Sequence, residues 1–195
     1  MNKILILGGT GFLGFYLINY LKDKNKLFVN INKKKILKKR NILPIKLNFN
    51  NVKSLRKFIE QNRVNIIINL ISFTNVDECE KFPKKAKLTN STYVKNIINA
   101  ISSNNKVYFL HISTDHLFDG NSKKKYSELS KAKPLNTYGK TKFLGEKYAA
   151  KHKKSLILRT NFFGKSHVNK KSFSDNIINN LTKNKKIYLW HDVYI

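Results

Sequence analysis

Short apolar runs alternate along the chain with longer segments in which apolar residues recur every three or four positions. The run KILIL at 3–7 predicts a buried strand, and the glycines after it lead into a helix over 12–22. LFVNI at 27–31 predicts a second strand, followed by a polar stretch, a weak strand at 43–47 and a helix over 52–62. VNIIINLI at 64–71 is almost uninterrupted apolar, as expected of a strand covered on both faces. Leu88, Tyr93, Ile97, Ile98 and Ile101 keep helical spacing and predict one long helix over 86–103. VYFLHIS at 107–113 is the next strand. A polar loop containing Gly120 and Pro134 then leads to a helix that opens near Tyr138 and runs to 153. A strand at 156–159, a helix over 173–182 and an extended stretch at 187–190 complete the pattern. Strand and helix in alternation imply an α/β fold, a doubly wound parallel sheet with helices on both faces.

The glycines after the first strand add chemistry to this pattern. Gly8-Gly9-Thr10-Gly11-Phe12-Leu13-Gly14 places glycines at Gly8, Gly11 and Gly14, between a strand and an amphipathic helix. The spacing is three and three, where the common dinucleotide fingerprint has two and three, but the physics is shared. Gly8 permits the tight turn, Gly11 lets the backbone approach a pyrophosphate, and Gly14 allows close packing of helix on strand. The helix N-terminus then turns free N–H groups and a positive dipole towards the phosphates. This is the signature of a Rossmann-type sheet. Which dinucleotide binds is decided after the second strand, where an acid selects NAD and a base accepts the 2′-phosphate of NADP. Asn30-Ile31-Asn32-Lys33-Lys34-Lys35 holds no acid, which favours NADP(H) over NAD(H), with Lys33 as the first candidate.

A second local pattern lies in PLNTYGKTKFLGE at 134–146. Residues four apart on a helix are neighbours, so Tyr138 and Lys142 should lie side by side. An ammonium beside a phenol favours the phenolate and lowers its pKa, which suits a proton donor to a carbonyl oxygen.

Composition changes this picture little. The net charge of +28 invites a nucleic-acid partner. Against this, the only arginines are Arg40, Arg56, Arg63 and Arg159, and lysines recur in nearly every segment instead of marking one face. No specific nucleic-acid role is expected. Cys79 is the only cysteine, so no internal disulfide can form and a reducing compartment fits. The amino terminus imitates a signal peptide, but glycines interrupt its apolar run and no small-residue cleavage site follows. No apolar stretch approaches the roughly 20 residues that span a bilayer. A soluble cytoplasmic protein without a membrane partner is expected. His111 and His116 have no partners at ligand spacing, so no metal site is expected.

Taken together, the glycine loop and the Tyr138/Lys142 pair resemble the extended short-chain dehydrogenase/reductase superfamily. His111–Gly120, HISTDHLFDG, is similar to the STDYVFDG segment of the dTDP-4-dehydrorhamnose reductases and their sugar-nucleotide-binding relatives. PLNTYGKTKFLGE, NLISFTNVDECE at 69–80, LRTNFFG at 158–164 and DVY at 192–194 resemble further segments of that family. The resemblance implies an NADP(H)-dependent reductase of a nucleotide-activated 4-keto-6-deoxy sugar, serving polysaccharide synthesis. Thr114, Tyr138 and Lys142 would be catalytic. Gly8, Thr10, Gly11, Phe12, Leu13, Gly14, Lys33, Asn48, Phe49, Leu70, Ile71, Ser72 and Thr74, with Tyr138 and Lys142, would bind the cofactor. Thr114, Asp115, His116 and Phe162 would touch the nucleotide-sugar substrate, and a second copy in a homodimer is an option. His116 stands where the reductases commonly carry tyrosine.

Two alternatives stay open. Epimerases and dehydratases share the scaffold, and Asp115 supplies the acid that dehydratases carry beside the threonine. A non-catalytic dinucleotide-binding regulatory subunit, like that of methionine adenosyltransferase, also resembles this family, although Thr114, Tyr138 and Lys142 together favour the enzyme. The resemblance further implies residues 1–165 as the NAD(P)-binding domain and 166–195 as the start of a C-terminal substrate-binding region. The apolar run KKIYLWHDVYI reads as a chain interrupted inside that region.

Overall fold

The computed structural model describes residues 1–32, 36, 38–166 and 172–188. It divides into two compact units, Met1–Asn161 and Phe162–Ile195. Among the described residues the first unit holds six strands: β1 (Asn2–Leu7), β2 (Asn25–Asn30), β3 (Ile42–Ile45), β4 (Ile66–Asn69), β5 (Tyr108–Ile112) and β6 (Ser155–Leu158). These strands pair in parallel with one another, in the order β3-β2-β1-β4-β5-β6. The order reverses between β1 and β4, and in open sheets of this kind ligands occupy the crevice beyond the carboxyl ends of such a strand pair.

Both faces of the sheet are covered. Ile4 and Ile6 of β1 pack with Ile18, Leu27, Val29 and Ile68 on the side of α1 (Phe12–Leu21). Leu5 and Leu7 point the other way, into a core with Leu55 and Ile59 of α2 (Val52–Gln61) and Ile97 and Ile101 of α5 (Tyr93–Ile101). The alternation is the period-two geometry of a strand, with apolar residues on both sides because helices cover both.

The single long helix expected over 86–103 is three segments: α4 (Pro83–Lys87), a π-helical stretch at Leu88–Thr92, and α5. The π stretch turns the amide side chain of Asn90 inward, where it is fully buried. Helix α6 (Thr137–Ala149) crosses it closely, and a Cβ at Gly145 would collide with the Asn90 carbonyl. α6 stops at Ala149, short of 153, where the chain turns to bury His152 against the Val107 carbonyl at 2.7 Å. β4, Ile66–Asn69, is shorter than the expected 64–71, and its last residue, Asn69, is paired with Leu7 and His111 in the ladder while its side chain bonds within the site. A short helix that the pattern did not suggest, α3 (Val76–Lys81), is capped by Asn75, whose side chain accepts from the Glu78 amide.

The second unit carries α7 (Phe173–Leu181), begun by a capping box between Ser172 and Asp175. Residues 187 and 188 form no strand, and 189, 190 and the DVY segment lie outside the described residues.

Candidate active site

Three chain segments meet at the carboxyl edge of the sheet. The first is the turn between β1 and α1. Gly8 has φ +80°, the left-handed region in which a side chain is strained, and a Cβ there would also meet the Leu70 and Ile71 backbone at 3.0 Å. The turn closes through Gly11 N–H donating to Gly8 O at 3.0 Å. Gly14 packs so tightly that a Cβ would meet Gly9 O at 2.5 Å. Gly9, which sequence reasoning passed over, leaves no room for a Cβ beside Val29. Gly11 caps α1 without a side chain, and no acidic residue lies in the first turn, so the N-terminal N–H groups and dipole remain available to an anion. The cradle, in which Thr10 and Gly11 lead into Phe12 and Leu13 at the start of α1, fits a dinucleotide pyrophosphate.

The second segment is the loop Leu70–Thr74 after β4. Asn69 Oδ1 accepts from Ile71 N–H at 3.2 Å, so its NH2 faces the His111 ring and meets Nδ1 at 3.0 Å. That contact makes Nδ1 the acceptor and places the ring proton on Nε2. Burial pushes His111 well below its ordinary pKa, and the nearby Lys142 charge adds to this, so the ring is neutral packing. Asn90, unnoticed in the sequence, organises the same loop. It accepts from Ser72 Oγ at 3.1 Å and Phe73 N–H at 2.7 Å, and donates to Phe73 O and Thr141 Oγ1, each at 3.1 Å.

Thr114 and α6 form the third segment. Thr114 is buried at the end of β5, where its hydroxyl accepts from His116 N–H at 3.2 Å and donates to Asp115 Oδ1 at 3.1 Å. Tyr138 is 9% exposed. Its phenol is pushed up, first by burial, with the Asp115 and Cys79 charges in the same sense, while hydrogen bonds with the Thr114 and Ser72 hydroxyls pull it back down. The lowering expected from Lys142 is therefore not what the structure shows. Lys142 lies on the same helix face, but its ammonium donates to Ile112 O at 2.5 Å. Burial lowers that ammonium to about 8, partly offset by Glu146 one turn further on. Glu146 in turn pairs with Arg159 at 2.9 Å.

The remaining expected residues are placed as follows. Thr114, Ser72 and Tyr138 converge, with Asp115 and His116 beside them, while Lys142, four residues after Tyr138 on α6, turns its ammonium to Ile112 O. The His116 ring stands edge-on to Tyr138 at 5.5 Å between centroids. Asn48 is exposed after β3, whereas the Phe49 ring is in the core against Tyr93 and its carbonyl accepts from Asn96 Nδ2 at 2.8 Å. Phe162 belongs to the second unit and is 41% exposed. Lys33 lies outside the described residues. Among the described residues there is no group of three or more His, Cys, Asp or Glu that could hold a metal, and no helix long and apolar enough to cross a membrane.

Comparison with known proteins gives the family and its fold. The dTDP-4-dehydrorhamnose reductase of Salmonella typhimurium is 32% identical over 162 residues, covering 82% of this chain and 51% of that protein. The chain thus spans about half the length of the curated relative it matches. A dTDP-4-dehydrorhamnose reductase ortholog of Clostridium acetobutylicum has a TM-score of 0.75 at 33% identity, covering 93% of this chain and 60% of that one. The dTDP-4-dehydrorhamnose reductase of Bacillus anthracis, solved in complex with NADP, has a TM-score of 0.77 at 26% identity, covering 95% and 62%. The family described as the RmlD substrate binding domain matches residues 1–194, nearly the whole chain, and to that family this protein belongs.

Proposed function

We propose that the chain carries the cofactor site and catalytic groups of an NADP(H)-dependent reductase acting on a nucleotide-activated 4-keto-6-deoxy sugar in polysaccharide synthesis. The observation that carries this reading is the convergence of Thr114, Ser72 and Tyr138 at the carboxyl edge of the sheet, with Lys142 one helical turn from the phenol. The glycine turn and the loop after β4 would hold a nicotinamide dinucleotide, which when bound would supply hydride to the carbonyl carbon. The protein's own groups do the rest. Tyr138, kept protonated by burial, gives its proton to the carbonyl oxygen, and the Thr114 hydroxyl holds that oxygen in place. Lys142, still mostly charged at neutral pH, supports the phenolate left behind and the ribose hydroxyls. Residues 1–165 form the dinucleotide domain and 166–195 begin the substrate-binding region. The preference for NADP rests on Lys33 and the absence of an acid after β2. The NADP bound to the Bacillus anthracis relative supports it.

The test is NADPH consumption with a panel of dTDP-, GDP- and UDP-4-keto sugars, alongside Tyr138→Phe. We expect turnover of at least one sugar, loss of at least a hundredfold in the variant, on the order seen for removed acid catalysts, and nearly unchanged NADPH affinity. Unchanged turnover in the variant removes Tyr138 as the acid. Equal affinity for NADPH and NADH defeats the cofactor preference.

A further inference from the structure

Helix α3 stands between the loop Leu70–Thr74 and the first turn of α6. Its inner side carries Cys79, which packs with Phe73, Val76, Ala86 and the Tyr138 ring. From its last turn the exposed Glu80 reaches across to α6. One carboxylate oxygen accepts from Thr137 N–H at 2.6 Å and the other from Thr137 Oγ1 at 2.7 Å. Thr137 immediately precedes Tyr138. These bonds, the backbone one first, hold the Glu80 carboxyl below its ordinary pKa, so it is charged at neutral pH. A carboxylate is favoured there because a helix N-terminus offers unpaired N–H groups and a positive dipole. The cap position is already served, since Asn136 Oδ1 accepts from Gly139 N–H at 2.8 Å. Glu80 is thus a second cap, supplied from outside the helix.

Its place relative to Asn90 matters. Asn90 ties the same loop to Thr141, four residues after Thr137 and therefore on the same helix face. Thr137 and Thr141, one turn apart, thus both bond to residues outside α6, with Tyr138 between them in the sequence.

We propose that Glu80 is a positioning residue: by bonding Thr137 it registers Tyr138 against the loop Leu70–Thr74, so that dinucleotide held by that loop is felt at the first turn of α6. The inference rests on the reading of that loop as part of the cofactor site.

Glu80→Ala and Glu80→Gln in the full chain test it, the glutamine keeping an acceptor and length but not the charge. Amide exchange at Thr137, Tyr138 and Gly139 is followed with and without NADPH, together with NADPH affinity, kcat and KM. Because misplacement of a reacting group by about 1 Å costs up to about 100-fold, a loss of about tenfold in kcat is expected for Glu80→Ala, with NADPH affinity and KM within about twofold. Glu80→Gln should recover most of that loss. NADPH should slow exchange of these amides in the wild type and not in Glu80→Ala. NADPH binding with the same slowing in both proteins overturns the inference alone. A wild type that does not bind NADPH overturns the functional reading and this inference with it. If NADPH binds but no sugar is turned over, the exchange comparison decides.

Discussion

Lys142 gives the sharpest quantitative test, because it is a buried cation whose charge the fold disfavours. Its ammonium is lowered from the ordinary 10.5 to about 8, with burial as the first cause. A displacement of about 2.5 in pKa, at about 1.4 kcal/mol each, means that keeping Lys142 charged costs the folded state about 3 kcal/mol. The sign follows from proton counting. Below about pH 8 both folded and unfolded chains carry the proton, and the cost is felt in full. Between about 8 and 10.5 the unfolded chain binds more protons than the folded one, so stability rises with pH through that window.

The perturbation is Lys142→Met, which keeps the length of the stem and removes the charge. Urea unfolding of both proteins at pH 7 and pH 9.5 isolates this residue, because other titrating groups are common to both. Relative to the variant, the wild type should gain about 2 kcal/mol between the two pH values, the part of the window covered by pH 9.5. The lost bond to Ile112 O shifts the variant by a constant amount and leaves that difference intact. Parallel stability curves for the two proteins refute the argument, because they mean the ammonium is solvated in the fold.

Gly11 and Gly14 separate binding from folding. A Cβ at Gly11 meets only Gly8 O, at 3.3 Å, so Gly11→Val should leave the thermal midpoint near wild type yet remove NADPH binding in a fluorescence titration. Retained affinity counts against the phosphate cradle. Gly14→Val drives carbons into the Gly9 backbone and should cost about 2 kcal/mol or more by overpacking. A wild-type midpoint would show that the turn relaxes freely. Asn90→Leu removes four bonds from a fully buried amide and leaves partners unpaired, costing about 3 kcal/mol in urea unfolding. A loss below about 1 kcal/mol would mean the loop repacks without it.

What the chain reveals without coordinates is what depends on near neighbours. The glycine turn, the strand alternation and the Tyr138/Lys142 pair are each confined to a few residues, and their geometry follows from the turn or from helical spacing. The six strands follow the apolar pattern, with β4 two residues shorter at each end than its apolar run. Contacts between distant segments left no such trace. Asn90 bonds a loop 17 residues back and a helix 51 residues on, and in the run LTNST it reads as an ordinary polar position. The π stretch that turns it inward breaks a helix whose apolar spacing looks continuous. Glu80 meets Thr137 across 57 residues, and a glutamate near the end of a short helix carries no sign of that. Desolvation is equally silent, because spacing places two groups side by side but says nothing of the water taken from each.

That last point changes the reading of the phenol. A lysine neighbour suggested a tyrosine made acidic, but the structure holds a tyrosine made less acidic, enclosed by Cys79, Ala86 and Phe73. For the reductase proposed above this is the useful direction. A group that must hand a proton to a carbonyl oxygen has to hold it at neutral pH, and burial above the ordinary value of 10.0 ensures that it does. Release of the proton then needs groups that favour the phenolate only as it forms. The Thr114 and Ser72 hydroxyls already act in that sense, and the Lys142 ammonium remains charged below about 8 on the same helix face. Burial keeps the proton in place, polar neighbours lower the cost of losing it, and the links through Glu80 and Asn90 keep both at the strand ends where the glycine turn presents its amides.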